Sequence, residues 1–110
     1  MATSRMEQID ALIKKEVAIA LHSHFPDDFI SVTQLHVTKD LSYAKVWISS
    51  PIDTIRAVKE SNNIRKEIRT ELSKKITARR VPSLHFVADF TSEQASKIER
   101  LITQIKDEER

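Results

Sequence analysis

The 110-residue chain contains no glycine and no cysteine. At an average usage near 7%, about eight glycines would be expected. Their absence excludes the P-loop, the dinucleotide-binding GxGxxG turn, the nucleophile elbow and the GxxG clamp for single-stranded RNA. Without cysteine there are no disulfides, thiolate nucleophiles, zinc fingers or iron–sulfur ligands. No apolar run approaches the ~18 residues of a membrane span, so no membrane partner is expected. The first residues, Met1-Ala2-Thr3-Ser4-Arg5-Met6-Glu7, are polar where a signal peptide needs an apolar block. A cytoplasmic location is expected, and an absence of cysteine fits a reducing compartment.

What the chain does contain is an uneven distribution of charge. Overall it carries 18 basic and 16 acidic residues, a net +2. Residues 56–80 hold nine of the cations (Arg56, Lys59, Arg65, Lys66, Arg69, Lys74, Lys75, Arg79 and Arg80) against Glu60, Glu67 and Glu71. Each flanking segment is net negative. Such a basic block points to a polyanionic partner. The bland alternative is a helix surface kept soluble by Lys and Arg, with Glu67 and Glu71 pairing locally to Lys74 and Lys75. Arg79 and Arg80, at a helix end, also suit the negative pole of the dipole.

Periodicity lays out the elements. Ser4 and Glu7 form a capping box, and Met6, Ile9, Ile13, Val17, Ala20 and Leu21 recur at helical spacing until Phe25-Pro26. Residues 30–38 read as a strand. Residues 39–42 read as a turn, with Asp40 as turn former, and 43–49 alternate as a second strand. Ala44, Val46 and Ile48 share one face; Tyr43, Lys45 and Trp47 share the other. That second face is expected to be open or covered only by the terminal helix, as a stacking or partner surface.

Ser50-Pro51-Ile52-Asp53 reads as a helix start with Ser50 at the cap. Two apolar stripes follow, Ile52, Ile55 and Val58, then Ile64, Ile68, Leu72 and Ile76. Their centres differ by roughly 120° on a helical wheel, which predicts a kink near Glu60-Ser61-Asn62-Asn63. Asn62 or Asn63 is the expected pivot, in a left-handed conformation. Residues 84–89 read as a third strand, with Asp89 at its end. Thr91-Ser92-Glu93-Gln94 opens a last helix carrying Ala95, Ile98, Leu101, Ile102 and Ile105. The expected fold is α+β, in the order α-β-β-α-kink-α-β plus a C-terminal helix, as one domain over residues 1–110. Helices lie on one face of a three-stranded sheet.

Catalytic chemistry finds little support. His22, His24, His36 and His85 lack the spacing of any zinc or iron site, so no metal is expected. Asp40 and Asp89 are better explained as turn and strand-end residues than as an acid–base pair. No enzyme activity and no cofactor are expected.

Three blocks carry a family resemblance: Asp40-Leu41-x-Tyr43-Ala44-Lys45-Val46-Trp47-Ile48-Ser49, Ile64-Arg65-x-x-Ile68-x-x-x-Leu72, and Arg79-x-x-Pro82-x-Leu84-x-Phe86-x-x-Asp89. In this order and spacing, over roughly residues 4–105, the chain resembles bacterial ribosome-binding factor A. The resemblance implies a type II KH-like fold and a non-enzymatic assembly factor. It implies binding to the small (30S) ribosomal subunit and its 16S rRNA late in maturation, with support for 5′-end processing and growth in the cold. In that family a helix–kink–helix carrying Ala-x-Gly replaces the RNA clamp. Here the corresponding residues are Glu60, Ser61 and Asn62, so asparagine stands at the glycine position. A monomer docking through residues 56–80 is the leading expectation. A generic KH-like nucleic-acid module, or a protein-interaction domain using Tyr43, Lys45 and Trp47, remains an alternative.

Overall fold

A computed structural model describes residues 5–76 and 80–91. The elements run α1 (Arg5–His24), β1 (Ser31–Val37), β2 (Tyr43–Ser49), α2 (Thr54–Asn63), α3 (Arg65–Lys75) and β3 (Ser83–Ala88). The expected α+β order is therefore met. Ser4, Arg79 and the expected C-terminal helix lie outside the described residues.

The sheet order is β1-β2-β3, with β2 antiparallel to β1 and parallel to β3. A parallel pair cannot be closed by a hairpin, and α2–α3 form the crossover that it needs. Ala44, Val46 and Ile48 are wholly buried beneath the helices, while Tyr43 and Lys45 are exposed and Trp47 is half-buried. The alternation read from β2 thus assigns both faces. In β1 a bulge at Thr33 separates Val32, opposite Ile48, from Leu35, opposite Val46. The extra residue resets the period-two phase, so Val32, Leu35 and Val37 all turn to the helix side.

α1 buries Ile13, Val17, Ala20 and Leu21, the stripe expected of it, with Met6 and Ile9 packed at the margin. Its stripe meets Ile68 and Leu72 of α3 and Phe86 of β3 in one core.

The start of α2 differs from expectation. Asp53, not Ser50, is the N-cap, and its carboxylate accepts from Arg56 N at 3.0 Å. Ser50 is instead buried as a corner bracket. Its hydroxyl donates to Asp28 O at 2.6 Å and accepts from Ile52 N at 3.2 Å. The inward face differs too. Ile52 and Ile55 are 61% and 71% exposed, whereas Thr54, Ala57 and Ser61 are buried. Small side chains let α2 approach β2 and β3 closely, and the isoleucines are left on the solvent side.

This changes the account of the kink. The observed inward faces, Thr54/Ala57/Ser61 and Ile64/Ile68/Leu72, lie within roughly 20° of each other on an unbroken wheel. A mismatch of stripes is therefore not what breaks the helix. The break sits at Ile64, with φ −111° and ψ 16°, and Ile64 N donates to Ser61 O at 3.2 Å. Ile64 at once ends α2 and caps α3, where Ile68 N donates to its carbonyl at 3.0 Å. That bridge conformation is open to any L-residue. Neither Asn62 nor Asn63 is left-handed; among the described residues only Phe29 (φ 50°) and Leu41 (φ 60°) are.

Asn62 has a different task. Its Nδ2 donates to Phe86 O at 2.9 Å, and its Oδ1 accepts from Phe86 N at 2.9 Å. The carboxamide pairs with the outer edge of β3 as a neighbouring strand would.

The β1–β2 turn holds Leu41 in place through Asp40. The Asp40 carboxylate accepts from Thr38 Oγ1 and Ser42 Oγ, each at 2.7 Å, and from Ser42 N at 3.1 Å. The Ser42 and Thr38 hydroxyls, then the Ser42 amide, hold its pKa at about 2. At the far end of the sheet Asp89 accepts from Thr33 Oγ1 and from Thr91 N, and these bonds also lower its pKa.

Asn62→Ala leaves both polar groups of Phe86 unpaired and is expected to cost about 2 kcal/mol in urea unfolding. Asn62→Gly should cost about 0.5–1 kcal/mol more, through helix-interior entropy. Asp40, depressed in the folded chain, contributes stability that is full above its ordinary value of 3.8 and lost as pH falls through about 2. Unfolding followed across pH 5 to 2 should show a shallower acid slope in Asp40→Asn than in the parent chain.

Candidate nucleic-acid interface

The nine cations read as one basic block do not form one surface. Arg56 is spent at the α2 start, with Nη2 3.2 Å from Asp28 Oδ1 and Nε 3.4 Å from Glu60 Oε1. Lys75 lies 3.7 Å from Glu16 Oε2 on α1. Glu71 bonds His24 Nε2 at 2.7 Å. The local Glu–Lys pairing expected along α3 is thus replaced, for Glu71 and Lys75, by tertiary pairing to α1. Lys59, Lys74 and Arg80 are exposed.

Arg65, Lys66 and Arg69 behave differently. They occupy the first turns of α3, where 100° per residue places Arg65 and Arg69 one above the other. None has a carboxylate partner among the described residues. With Tyr43, Ser83, Leu84 and His85 they line a concavity of about 280 Å³ at the β3 edge. Arg69 Nε donates to Val81 O at 3.1 Å, which fixes the plane of its guanidinium. Its Nη groups keep their donors for something else.

The parallel register supplies the rest of this site. Tyr43 pairs with Ser83 and Lys45 with His85, so the Tyr43 and His85 side chains share the sheet face away from the helices. Their rings stack at 6.2 Å between centroids with 28° between planes. Further along that face Lys45 Nζ sits 5.0 Å from the centre of the Trp47 ring, a cation–π contact. The basic block and the aromatic face, separate candidates in the sequence, meet through Tyr43.

β3 also presents main chain. Ser83 N and Asp89 N donate inward to Ser42 O and Ile48 O of the central strand segment. By alternation Leu84, Phe86 and Ala88 aim their N–H and C=O groups outward. Asn62 closes the groups of Phe86, and Leu84, itself buried, lines the floor of the basic concavity.

Sequence reasoning misses His85, Ser83 and Leu84 as components of this site. In the sequence His85 is weighed only as a metal ligand, and set aside for want of the spacing. Its partner Tyr43 lies 42 positions away, and only the β2–β3 register, which no local pattern reveals, brings them together. Among the described residues no group of three His, Cys, Asp or Glu side chains is placed to hold a metal ion. No described helix is long and apolar enough to cross a membrane.

These features define a KH-like α+β domain whose open sheet edge forms a basic, ring-lined groove. A sequence profile for ribosome-binding factor A matches residues 5–102. A ribosome-binding factor A of Heliobacterium modesticaldum is 34% identical over 96% of this chain and 93% of its own. The crystal structure of ribosome-binding factor A from Thermus thermophilus superposes with a TM-score of 0.72 at 18% identity, covering 79% of this chain and 98% of that one. A homology model of the Thermus thermophilus protein, fitted into a cryo-EM map of a 30S–RbfA complex, superposes at 0.67 and 21% identity, covering 76% and 94%. The chain belongs to the ribosome-binding factor A family.

Because Arg56 is solvent-exposed, its coupling to Asp28 is expected to stay below about 1 kcal/mol. A double-mutant cycle of Arg56→Ala and Asp28→Ala, read by urea unfolding, measures it.

Proposed function

We propose that this chain is a non-enzymatic assembly factor that binds the small (30S) ribosomal subunit through its 16S rRNA during late maturation. On this reading it supports processing of the RNA 5′ end and growth in the cold. It acts in the cytoplasm as a monomer, with residues 1–110 serving as one ribosome-binding domain. The observation that carries the reading is the convergence of Arg65, Lys66 and Arg69, without carboxylate partners among the described residues, beside the stacked Tyr43 and His85. Cations left uncompensated in a concave site favour a polyanion, because counterion release rewards each phosphate they neutralise. Family membership and the relative fitted into the 30S complex support the choice of polyanion. Lys59, Lys74, Arg79 and Arg80 would extend the contact, and Glu60-Ser61-Asn62 would set the angle of α3 toward the RNA.

Co-sedimentation with purified small subunits on sucrose gradients tests the proposal. Binding is expected at low salt, weakening on the order of 10³-fold between 50 and 200 mM salt for ~6 phosphate contacts. Charge reversal at Arg65 and Arg69 should abolish co-sedimentation, and Trp47→Ala should leave it largely intact. The opposite pattern, with a flat salt response, would instead mark a protein partner docking on Tyr43, Lys45 and Trp47.

A further inference from the structure

We infer that the end of the sheet opposite the basic groove docks a protein. There an apolar corner of Phe29, Ile52 and Ile55, rimmed by acidic side chains, fits the apolar face of a basic amphipathic segment. The corner shares no residue with the groove, so the inference goes beyond the RNA-binding reading and does not depend on it.

Exposed apolar side chains scattered singly are ordinary, and a cluster of them is not. Among the described residues seven large apolar side chains are exposed, and Phe29, Ile52, Ile55 and Phe90 stand at one end of the sheet. At that end β1 begins, with Ser31 opposite Ser49, and β3 finishes, with Asp89 N donating to Ile48 O at 2.8 Å. Tyr43 and Ser83 of the basic groove pair at the other end, roughly 20 Å away along β2.

Hydrogen bonds assemble the corner from two distant stretches of chain. Ser50 Oγ bonds both Asp28 O and Ile52 N, so the residue before Phe29 meets Ile52 at a single oxygen. Arg56, the residue after Ile55, reaches Asp28 Oδ1 at 3.2 Å. Ile52 and Ile55, three positions apart, look out from the same side of the α2 start.

Phe29 is the least expected member. It is 59% exposed and sits at φ 50°, a left-handed conformation that a bulky side chain adopts at an energetic cost. Its neighbours are fixed, Asp28 by Ser50 and Arg56, and Ile30 by burial in the core. The ring itself gains nothing from the core that would offset the strain. Strained backbone beneath an outward ring is the arrangement of a recognition site.

Charge decides the kind of partner. Asp27, Asp28, Asp53 and Glu60 stand in and beside the corner, against Arg56 and Lys59, and Arg56 is already bonded to Asp28 and Glu60. A net negative rim repels a phosphate backbone and attracts Lys and Arg. An aromatic ring beside two isoleucines, within a polar rim, has the make-up of a protein interface.

Amide NMR of the isotope-labelled full chain, titrated with short designed helical peptides, tests the inference. The first peptide carries leucine and lysine at amphipathic spacing. The second has serine for every leucine, and the third has glutamate for every lysine. The Leu/Lys peptide should move the amides of Phe29, Ile52, Asp53 and Ile55, and bind at least about tenfold more tightly than either counterpart. Ile55→Ser and Phe29→Asn should each weaken it about tenfold. Phe29→Asn should also raise the urea midpoint, because asparagine takes the left-handed backbone more readily. Arg65→Ala, in the basic groove, should leave peptide binding unchanged. Equal binding by the serine or glutamate counterpart, or no movement of these amides, overturns the inference. So does a lower assembly mass in Ile55→Ser than in the parent chain by sedimentation equilibrium, which marks the corner as a contact between copies of this chain. If Ile98→Ser with Leu101→Ser shifts the Ile52 and Ile55 amides without peptide, the chain's own C-terminal segment covers the corner and the inference fails.

Discussion

The parallel pairing of β3 with β2 is the constraint from which the rest of the structure follows. Two parallel neighbours need a crossover that climbs from one end of the sheet to the other, and α2 and α3 are that crossover. Their placement gives the core its second layer, where Ile68 and Leu72 share one cluster with Val46 and Phe86. The same pairing makes β3 an edge strand and brings the first turns of α3 beside it. It also sets Tyr43 next to His85. Core, edge and basic groove are three consequences of one register.

An exposed edge is a hazard, because unpaired N–H and C=O groups invite another strand. Here Asn62 covers part of it. A side-chain carboxamide carries one donor and one acceptor at nearly the geometry of a peptide group, and it satisfies both groups of Phe86. Glycine could not do this. In a chain without glycine, the bend between α2 and α3 is made by an ordinary residue in the bridge conformation, and close approach of α2 relies on Ala57 and Ser61. Among the described residues the left-handed positions fall on Phe29 and Leu41, and local carboxylate and hydroxyl bonding steadies the second of them.

Charge in residues 56–80 is sorted by tertiary pairing. Arg56 and Lys75 meet acids from other parts of the chain, and Glu71 turns to His24. Among the described residues that sorting leaves Lys59, Arg65, Lys66, Arg69, Lys74 and Arg80 without carboxylates, and of these only Arg65, Lys66 and Arg69 line the groove. The net positive charge of the segment therefore overstates the size of the surface while correctly placing it along the chain.

Patterns that depend on neighbours along the chain were legible without coordinates. The stripe of α1, the two faces of β2 and the Asp40 turn follow from periodicity and local hydrogen bonding, which act over a few residues. The break between α2 and α3 lies close to where periodicity places it, but that expectation rests on a stripe mismatch that the observed inward faces do not have. The inward face of α2 did not follow. Ile52 and Ile55 are the apolar choice by hydropathy, yet a helix pressed close to a sheet selects for small side chains, and that distance is a tertiary quantity. The role of Asn62 was hidden for a similar reason, since its partner Phe86 lies 24 positions away. So was His85 in the groove. The sequence by itself determined the elements and the stretch that carries the charge. Only the tertiary structure decided which cations stay unpaired and which strand edge they face, because both depend on contacts between segments far apart in the chain.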